Sequence, residues 1–208
     1  MRTVKEHNER LHEILDTAQK LFAEKGYGKC TVNDILNEIG IAKGTFYHYF
    51  KSKEEVLDAI IDRAAGQVLE RAQKVAANPN FSPEEKLYHI FMTMRMDGET
   101  DTMLIEEMHR MENALMHQKS LTTIVTLTVP VLAAVIEEGN RSGVFCCDYP
   151  EEYMQIFMAS AVTLLDDGIF GFSPEQQRGI FKALIFTLGK MLGVDEQALW
   201  EKAAGHWM

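Results

Sequence analysis

The stretch that decides the fold is TVNDILNEIGIAKGTFYHYFKSK, residues 31–53. Thr31 is a favourable N-cap residue, and it opens a short helix whose apolar side chains fall on one face. The segment Gly40-Ile41-Ala42 ends that helix, and it is short and contains glycine, as the turn of a helix-turn-helix requires. A second, very short helix follows, and Ser52 with Glu55 begins a longer one in a capping-box pattern. The pattern predicts a helix-turn-helix.

The second of these helices has an unusual composition for so short a segment. Phe46 and Phe50 are four residues apart, so both can pack against the apolar face of the preceding helix. The remaining side chains are cationic or form hydrogen bonds, and we expect them to face outward: Lys43, Thr45, Tyr47 and His48. A short helix with such a face fits the major groove of DNA, where its donors can reach phosphates and base edges.

Helical periodicity continues through the rest of the chain, and strand patterns are almost absent. Two later helix starts share one design, SPEE from Ser82 and SPEQ from Ser173, with Ser at the N-cap and Pro at the first helical position. Pro130 is expected to kink or split the helix that contains it. The sequence predicts an all-α protein of about nine or ten helices, which include helices near 101–117, 119–140 and 150–168.

Composition and charge restrict the classes of protein to which the chain can belong. The net charge is −10, yet residues 1–53 carry nine Lys/Arg against seven Asp/Glu, so the acidity lies downstream of residue 53. A mildly basic N-terminal segment on an acidic remainder suits a protein that meets phosphate through one face. No apolar run approaches the ~20 residues of a membrane-spanning helix, and the N-terminus has no apolar signal core. Three cysteines do not make a disulfide framework, so we expect a reduced, cytoplasmic protein without a membrane partner.

The run Ile41 to Phe50, followed by KSKEEVL at residues 51–57, closely resembles the DNA-binding motif of the tetracycline-repressor (TetR) family. The upstream part from Ala18 to Gly40 resembles it too, so the likeness covers about residues 8–58. Members of this family have an N-terminal helix-turn-helix DNA-binding domain, expected here over 1–52. A larger helical domain for effector binding and dimerisation follows in the family, and it is expected here over 53–208.

The resemblance also implies which residues contact DNA. Thr31 would cap the second helix and offer its hydroxyl or N–H to a phosphate. Gly44 would allow close approach to the duplex, and Lys53 would contact a flanking phosphate. Tyr49 can equally pack inside the domain. The full set implied as DNA-binding is Thr31, Lys43, Gly44, Thr45, Tyr47, His48 and Lys53.

Seven of the twelve methionines lie between residues 92 and 116. Methionine is flexible and polarizable, so it suits a pocket for varied apolar ligands, although it fills ordinary cores equally well. Because the family usually encloses a ligand cavity in its central helices, the resemblance implies a ligand site in this region, to which Thr123 and Thr126 could add polar contacts. The candidate ligand-binding residues are Phe91, Leu104, Met108, Met111, Leu115 and Ile124.

The last two long helices are apolar on more than one side. A helix of this kind must be buried on more than one side, either in its own core or against a second subunit. We assign the pair to a homodimer interface, which would place two recognition helices about one DNA turn apart on a palindromic operator. The interface candidates are Phe157, Ala161, Leu165, Phe181, Leu184, Ile185 and Leu188.

The leading functional hypothesis is therefore a transcriptional regulator, most simply a repressor that a small apolar or amphipathic effector releases from DNA. The alternative is a dimeric DNA-binding scaffold that responds to a protein partner. An enzyme is disfavoured because no nucleophile elbow, phosphate-binding Gly-rich loop or His-Glu-x-x-His motif is present. Glu106 and His109 form a helical pair, but a di-iron bundle needs two inward-facing pairs, so we expect neither metal nor cofactor.

Overall fold

A computed structural model describes residues 2–94, 114–166, 168–197 and 199, with side chains from His7 onward. Within these ranges the chain is helical and contains no strand, which confirms the predicted all-α class. The described residues form eight helices: α1 (Arg2–Lys25), α2 (Val32–Ile39), α3 (Lys43–Tyr49), α4 (Lys53–Ala76), α5 (Pro83–Met94), α6 (Ala114–Ser142), α7 (Pro150–Leu164) and α8 (Pro174–Leu192).

The described residues form two compact units. The first, here called the head unit, comprises residues 2–66 and 114–120. The second, the body unit, comprises 67–94, 121–166, 168–197 and 199. Each unit has its own cluster of buried apolar side chains.

The head unit is built on the apolar stripe of α1. Ile14, Ala18 and Phe22 are almost completely buried, and they pack with Ile35 of α2 and Phe46 of α3 in one cluster. Polar contacts add to this core at its edge, where the guanidinium of Arg63 donates to Asp16 and Gln19 of α1. Lys119, near the start of α6, donates to Glu54 and Asp58 of α4. These hydrogen bonds hold α1, α4 and the first turns of α6 in place around the short helices α2 and α3.

The body unit packs α5 to α8 and the end of α4 around a second core. Its completely buried members come from five helices, and they are Ala72, Ile90, Leu132, Ile136, Met154 and Leu192. Both predicted SPE starts are confirmed as capping boxes, since the N–H of Glu85 donates to the Ser82 hydroxyl and that of Gln176 to the Ser173 hydroxyl. Helix α7 ends at Leu164, short of the predicted 168, and the Asp166 side chain accepts from the N–H of Gly168.

Helix α6 differs from the predicted boundaries, and at Pro130 it is not split, so that the predicted kink there stays a prediction. It runs without a break through residues 117–119, where the sequence analysis placed a boundary, because no glycine or proline interrupts it there. It also continues through Pro130, which lies on the exposed side of the helix. Proline removes one backbone donor from the ladder, but its ring meets solvent here. Neighbouring threonine hydroxyls donate to backbone carbonyls four residues earlier in the helix, and that of Thr128 donates to the carbonyl of Ile124.

The same helix corrects the expectation that no apolar segment approaches the length of a membrane-spanning helix. By length and composition α6 could cross a membrane, with a mean hydropathy of 1.8 over its most apolar 18-residue window. A core helix of a folded domain meets the same criterion. Val129, Leu132, Val135 and Ile136 of this helix are buried in the body core, and 33% of the 18-residue window is buried.

Candidate nucleic-acid interface and apolar cavity

The start of α2 is held by a reciprocal cap between Thr31 and Asp34. The Asp34 N–H donates to the Thr31 hydroxyl at 3.2 Å, and the Thr31 N–H donates to the Asp34 carboxylate at 2.8 Å. The Thr31 hydroxyl also donates to that carboxylate, at 2.5 Å. Thr31 remains exposed, so the residue predicted to meet a phosphate lies at the surface while it completes the cap.

Asp34 is the electrostatic centre of this cap. The Lys25 ammonium donates to its carboxylate at 2.8 Å, and the hydroxyl and N–H of Thr31 add two more donors. Together these donors hold the pKa of the Asp34 carboxyl well below its usual range. The side chain therefore stays ionised, and it links the end of α1 to the start of α2.

The turn between α2 and α3 depends on Gly40. Its φ is +75°, in the left-handed region that residues with a Cβ rarely adopt, and its N–H donates to the carbonyl of Leu36 at 2.9 Å. The N–H of Ile41 donates to the same carbonyl at 3.2 Å. The glycine stop predicted from the sequence is confirmed, and it sets the direction in which α3 leaves.

Helix α3 presents two different faces. Phe46 is fully buried and Phe50 nearly so, and both belong to the head core, as their spacing predicted. Tyr47 is 46% exposed, and the Lys43 ammonium stands 5.8 Å from the centroid of its ring. The exposed surface of the helix, here called the α3 face, consists of Lys43, Gly44, Tyr47 and His48, with Thr45 half-buried beside it.

Lys53 occupies a different environment from the other predicted DNA contacts. Its ammonium donates to the carbonyl oxygens of Tyr27 and Cys30, at 2.5 and 2.8 Å, and stands 4.1 Å from the centroid of the Tyr27 ring. The side chain is half-buried. Three favourable contacts thus hold the charge against the loop that precedes Thr31, and the predicted phosphate contact of Lys53 stays a prediction.

His7 is a neighbour of the α3 face that no pattern in the sequence predicts. Its ring lies 4.6 Å from that of Tyr49 and 5.9 Å from that of His48, centroid to centroid. Tyr49 is half-buried, so this contact settles its ambiguous position in favour of packing within the head unit. The residues lie some forty positions apart, and no local spacing in the sequence marks such a contact.

The body unit contains an apolar cavity of about 210 Å³. Its walls come from α5, α7 and α8 and from the residue that follows α7. Three methionines are among them, including Met92 and Met94 from the methionine-rich segment. The lining residues are Tyr88, Phe91, Met92, Met94, Phe157, Met158, Ala161, Val162, Leu165, Phe181, Leu184 and Ile185.

The structure brings few of the predicted ligand-binding residues to this cavity. Phe91 lines it, whereas Ile124 packs against the body core. Leu115 is exposed in the head unit. The hydroxyl of Thr126 donates to the carbonyl of Thr122, and Thr123 is half-buried. Leu104, Met108 and Met111 lie outside the described residues.

The predicted interface residues lie on the inner side of their helices. Six line the cavity, namely Phe157, Ala161, Leu165, Phe181, Leu184 and Ile185, and Leu188 is buried in the body core. Their assignment to a subunit interface stays a prediction. The outer side of α7 carries a different apolar residue, Ile156, which is 55% exposed. Ala159 of α7 and Ala183 of α8 are also exposed.

Among the described residues, no three or more His, Cys, Asp or Glu side chains cluster in a way that could hold a metal ion. Glu106 and His109 lie outside those residues. All three cysteines carry free thiols; Cys30 and Cys147 are buried, and burial raises the pKa of both.

Two family models match the chain. One, described as bacterial regulatory proteins of the tetR family, matches residues 14–60, which include the helix-turn-helix. The other, described as a tetracyclin repressor-like C-terminal domain, matches residues 99–185. The two matches do not overlap, and together they cover more than half of the chain.

Individual proteins are similar over parts of the chain or in fold. The fatty acid metabolism regulator protein of Bacillus subtilis is 25% identical over 142 residues, 67% of this chain and 73% of that protein. The HTH-type transcriptional repressor KstR2 of Mycolicibacterium smegmatis is 36% identical over 83 residues, which span 40% of either chain. A TetR-family transcriptional regulator from Pectobacterium atrosepticum shares the fold, with a TM-score of 0.65, 20% identity and coverage of 90% of this chain and 96% of that one.

Proposed function

Because the chain belongs to the TetR family of bacterial DNA-binding transcriptional regulators, we propose that it is a homodimeric repressor that an effector releases from a palindromic operator. The observation that carries the proposal is the α3 face. A seven-residue helix is anchored by two buried phenylalanines and turns a lysine, a tyrosine and a histidine to solvent. The proposed repressor acts in the cytoplasm, where the operator is accessible.

The α3 face would enter the major groove. Lys43 and Tyr47 lie one helical turn apart, and both can donate to phosphate oxygens or to base edges. Gly44 leaves open space where a side chain would stand, since an added Cβ there meets no atom within 4 Å, so the duplex can approach the backbone closely. Thr31 would contact a phosphate at the start of α2.

Dimerisation would pair the outer sides of α7 and α8. The predicted interface residues face inward in this chain, so the interface we propose lies on the opposite side of the same two helices. Ile156, Ala159 and Ala183 are exposed there, with Thr187 one turn beyond. Small side chains permit close approach of helices, and an isologous contact of this kind generates the two-fold axis that a palindromic operator needs.

An effector in the body cavity would control DNA binding. A cavity of about 210 Å³ with apolar walls favours a ligand-responsive regulator over a scaffold that answers only to a protein partner. An effector can shift operator binding only by its differential affinity for the DNA-binding and the released conformations. The relative named as a fatty acid metabolism regulator supports an effector with a substantial apolar part.

The test is fluorescence anisotropy of the protein on its own upstream intergenic DNA, against a random duplex, at two salt concentrations. We expect tight, salt-sensitive and sequence-selective binding. Lys43→Ala should weaken it about tenfold, in line with the loss of one phosphate or base contact. Lys74→Ala is the matched control, because Lys74 is an exposed lysine of the body unit paired with Glu70. Equal affinity for both duplexes would contradict the proposal, as would an unchanged Lys43→Ala variant.

A further inference from the structure

Four lysines of the head unit have partners that hold their charge. Lys20 and Lys25 pair with carboxylates of α2. Lys119 pairs with two carboxylates of α4, and Lys53 donates to two backbone carbonyl oxygens. Lys43 differs from them, because it is exposed and its ammonium has no carboxylate or carbonyl partner among the described residues. Its positive charge is therefore available to a ligand of the α3 face.

The surroundings of Lys43 give DNA access to its side chain. The next residue, Gly44, leaves open space, since an added Cβ there meets no atom within 4 Å. The ammonium of Lys43 stands 5.8 Å from the centroid of the exposed Tyr47 ring, so the side chain extends along the α3 face. In helix-turn-helix proteins the first residues of the recognition helix carry the side chains that contact base edges. Lys43 is the first residue of α3, so we expect its side chain to meet a base edge.

Lys43 is also the one residue of α3 whose side chain has a fixed hydrogen-bonding character. Its ammonium donates three hydrogen bonds and accepts none. The hydroxyls of α3 both donate and accept, and so does a neutral imidazole such as that of His48. Such groups match either kind of base edge by rotation or by a change of tautomer. Contacts to phosphate carry no sequence information, so discrimination between bases by hydrogen bonds from α3 depends on Lys43.

Guanine is the base that matches a cation that only donates. In the major groove guanine presents two neighbouring acceptors, N7 and O6. Adenine presents one acceptor beside an amino donor, thymine presents one acceptor beside a methyl group, and cytosine presents an amino donor. An ammonium at the base edge therefore forms two hydrogen bonds with guanine and at most one with any other base.

We infer that Lys43 is the specificity-determining residue of α3, and that its ammonium donates to N7 and O6 of a guanine in each operator half-site. Gly44 allows the approach that this contact needs, because no side chain stands between the backbone of α3 and the duplex. The inference rests on the proposed function, since it names the base that the proposed DNA-binding face recognises.

Selection of binding sites from a pool of random DNA duplexes tests the inference before the operator is known. We expect the unmodified protein to enrich a palindromic sequence with a guanine at one position of each half-site. Lys43→Ala should enrich the same sequence without a base preference at that position, because the other contacts are kept. The matched control is Lys51→Ala, which removes an exposed lysine outside α3 and should retain the guanine.

A base analogue then measures the contact at N7. The enriched duplex is compared with the same duplex carrying 7-deazaguanine, in which a C–H group replaces N7, by fluorescence anisotropy. The unmodified protein should bind the analogue about threefold to tenfold more weakly, as expected for one lost hydrogen bond. Lys43→Ala should bind both duplexes equally, because the contact is already absent. The same analogue placed outside the palindrome should change neither affinity.

Three results would overturn the inference and leave the proposed function intact. The first is a Lys43→Ala variant that still selects guanine at the same position. The second is an unmodified protein that binds both duplexes equally, a result that does not depend on the folding of any variant. The third is a Lys43→Ala variant that is weakened equally on all sequences, with a salt slope lower by about one, which would assign Lys43 to a phosphate. If the unmodified protein enriches no sequence, the proposed function fails and the guanine contact fails with it.

Discussion

The ammonium of Lys53 donates to the carbonyl oxygen of Cys30 at 2.8 Å, across 23 residues of chain. Cys30 directly precedes Thr31, the N-cap of α2. The start of α4 is thereby tied to the entry of the helix-turn-helix, and the second bond, to the carbonyl of Tyr27, fixes the other side of the same loop. The residue that the resemblance implies as a phosphate contact thus has its ammonium engaged in positioning the helix-turn-helix.

Replacing Lys53 with methionine separates these two roles. The variant keeps most of the aliphatic chain and loses two charge-assisted hydrogen bonds, so we expect the free energy of unfolding to fall by about 1–2 kcal/mol. Operator affinity should fall because α2 is less well positioned, while the slope of log affinity against log salt stays unchanged. Thermal unfolding and anisotropy at several salt concentrations measure the two effects.

The matched control for this variant is Lys51→Met, because Lys51 is an exposed lysine two residues away. We expect its stability to equal that of the unmodified protein. A salt slope that drops by about one in Lys53→Met would show a direct phosphate contact. Stability that is unchanged in Lys53→Met would contradict the positioning role.

The cap at Asp34 predicts a pH dependence of stability. Its folded-state pKa is depressed, first by the hydrogen bond from Lys25 and then by the donors of Thr31. The stabilisation is therefore complete above the unfolded-state value of about 3.9 and is lost as pH falls through the folded-state value. Asp34→Asn should lower the melting temperature at pH 7, and the difference from the unmodified protein should shrink below about pH 4.

The control for the cap is Glu38→Gln, which removes one negative charge from the same helix without touching Thr31. It should change the melting temperature less than Asp34→Asn at pH 7. Thermal unfolding monitored by circular dichroism between pH 3 and 8 provides the comparison. A difference between Asp34→Asn and the unmodified protein that stays constant over this range would contradict the assigned role of the carboxylate.

The helix-turn-helix could be predicted because its determinants are local. Thr31 and Gly40 mark helix ends through their own backbone preferences, and Phe46 and Phe50 share a face because of helical spacing. None of these depends on a distant part of the chain. The contact between His7 and Tyr49 does depend on how α1 packs against α3, and no spacing in the sequence encodes it.

The inner and outer sides of the last two helices could not be separated by the same reasoning. A helix that is apolar on two sides must be buried on both. Periodicity does not show which side packs against the same chain and which against a second subunit. The sequence predicts Phe157 and Ile185 at a subunit interface, and the structure places both in the lining of the body cavity, so their interface role stays a prediction. The cavity exists because the side chains of α5, α7 and α8 do not fill the space between these helices. Composition does not predict such a gap.

The position of His7 beside α3 predicts that α1 contributes to DNA binding. Its ring adjoins His48 and Tyr49, so it lies beside the α3 face and can support or extend the contacts of His48. His7→Ala should weaken operator binding about threefold to tenfold without lowering the melting temperature, a size typical of one lost polar contact. His12→Ala is the control, because His12 is an exposed histidine of the same helix. Equal operator affinities of the two variants would contradict this role.

The proposed dimer interface gives the last prediction. Ile156 is 55% exposed on α7, so Ile156→Glu should leave the monomer folded and place a charge where the partner's helices would pack. Light scattering coupled to gel filtration should then show a monomer with unchanged helical content. Ala134→Glu, an equally charged change on the exposed side of α6, should leave the dimer intact.

Ile185→Glu should behave differently from Ile156→Glu, because Ile185 is only 8% exposed and lines the cavity. A carboxylate there would be buried without a partner, so we expect loss of stability by several kcal/mol rather than clean dissociation. Operator binding should be weak in both variants, in Ile156→Glu because one recognition helix alone makes half of the contacts, and in Ile185→Glu because less of the protein is folded. A dimer that persists in Ile156→Glu would show that the two copies associate through another surface.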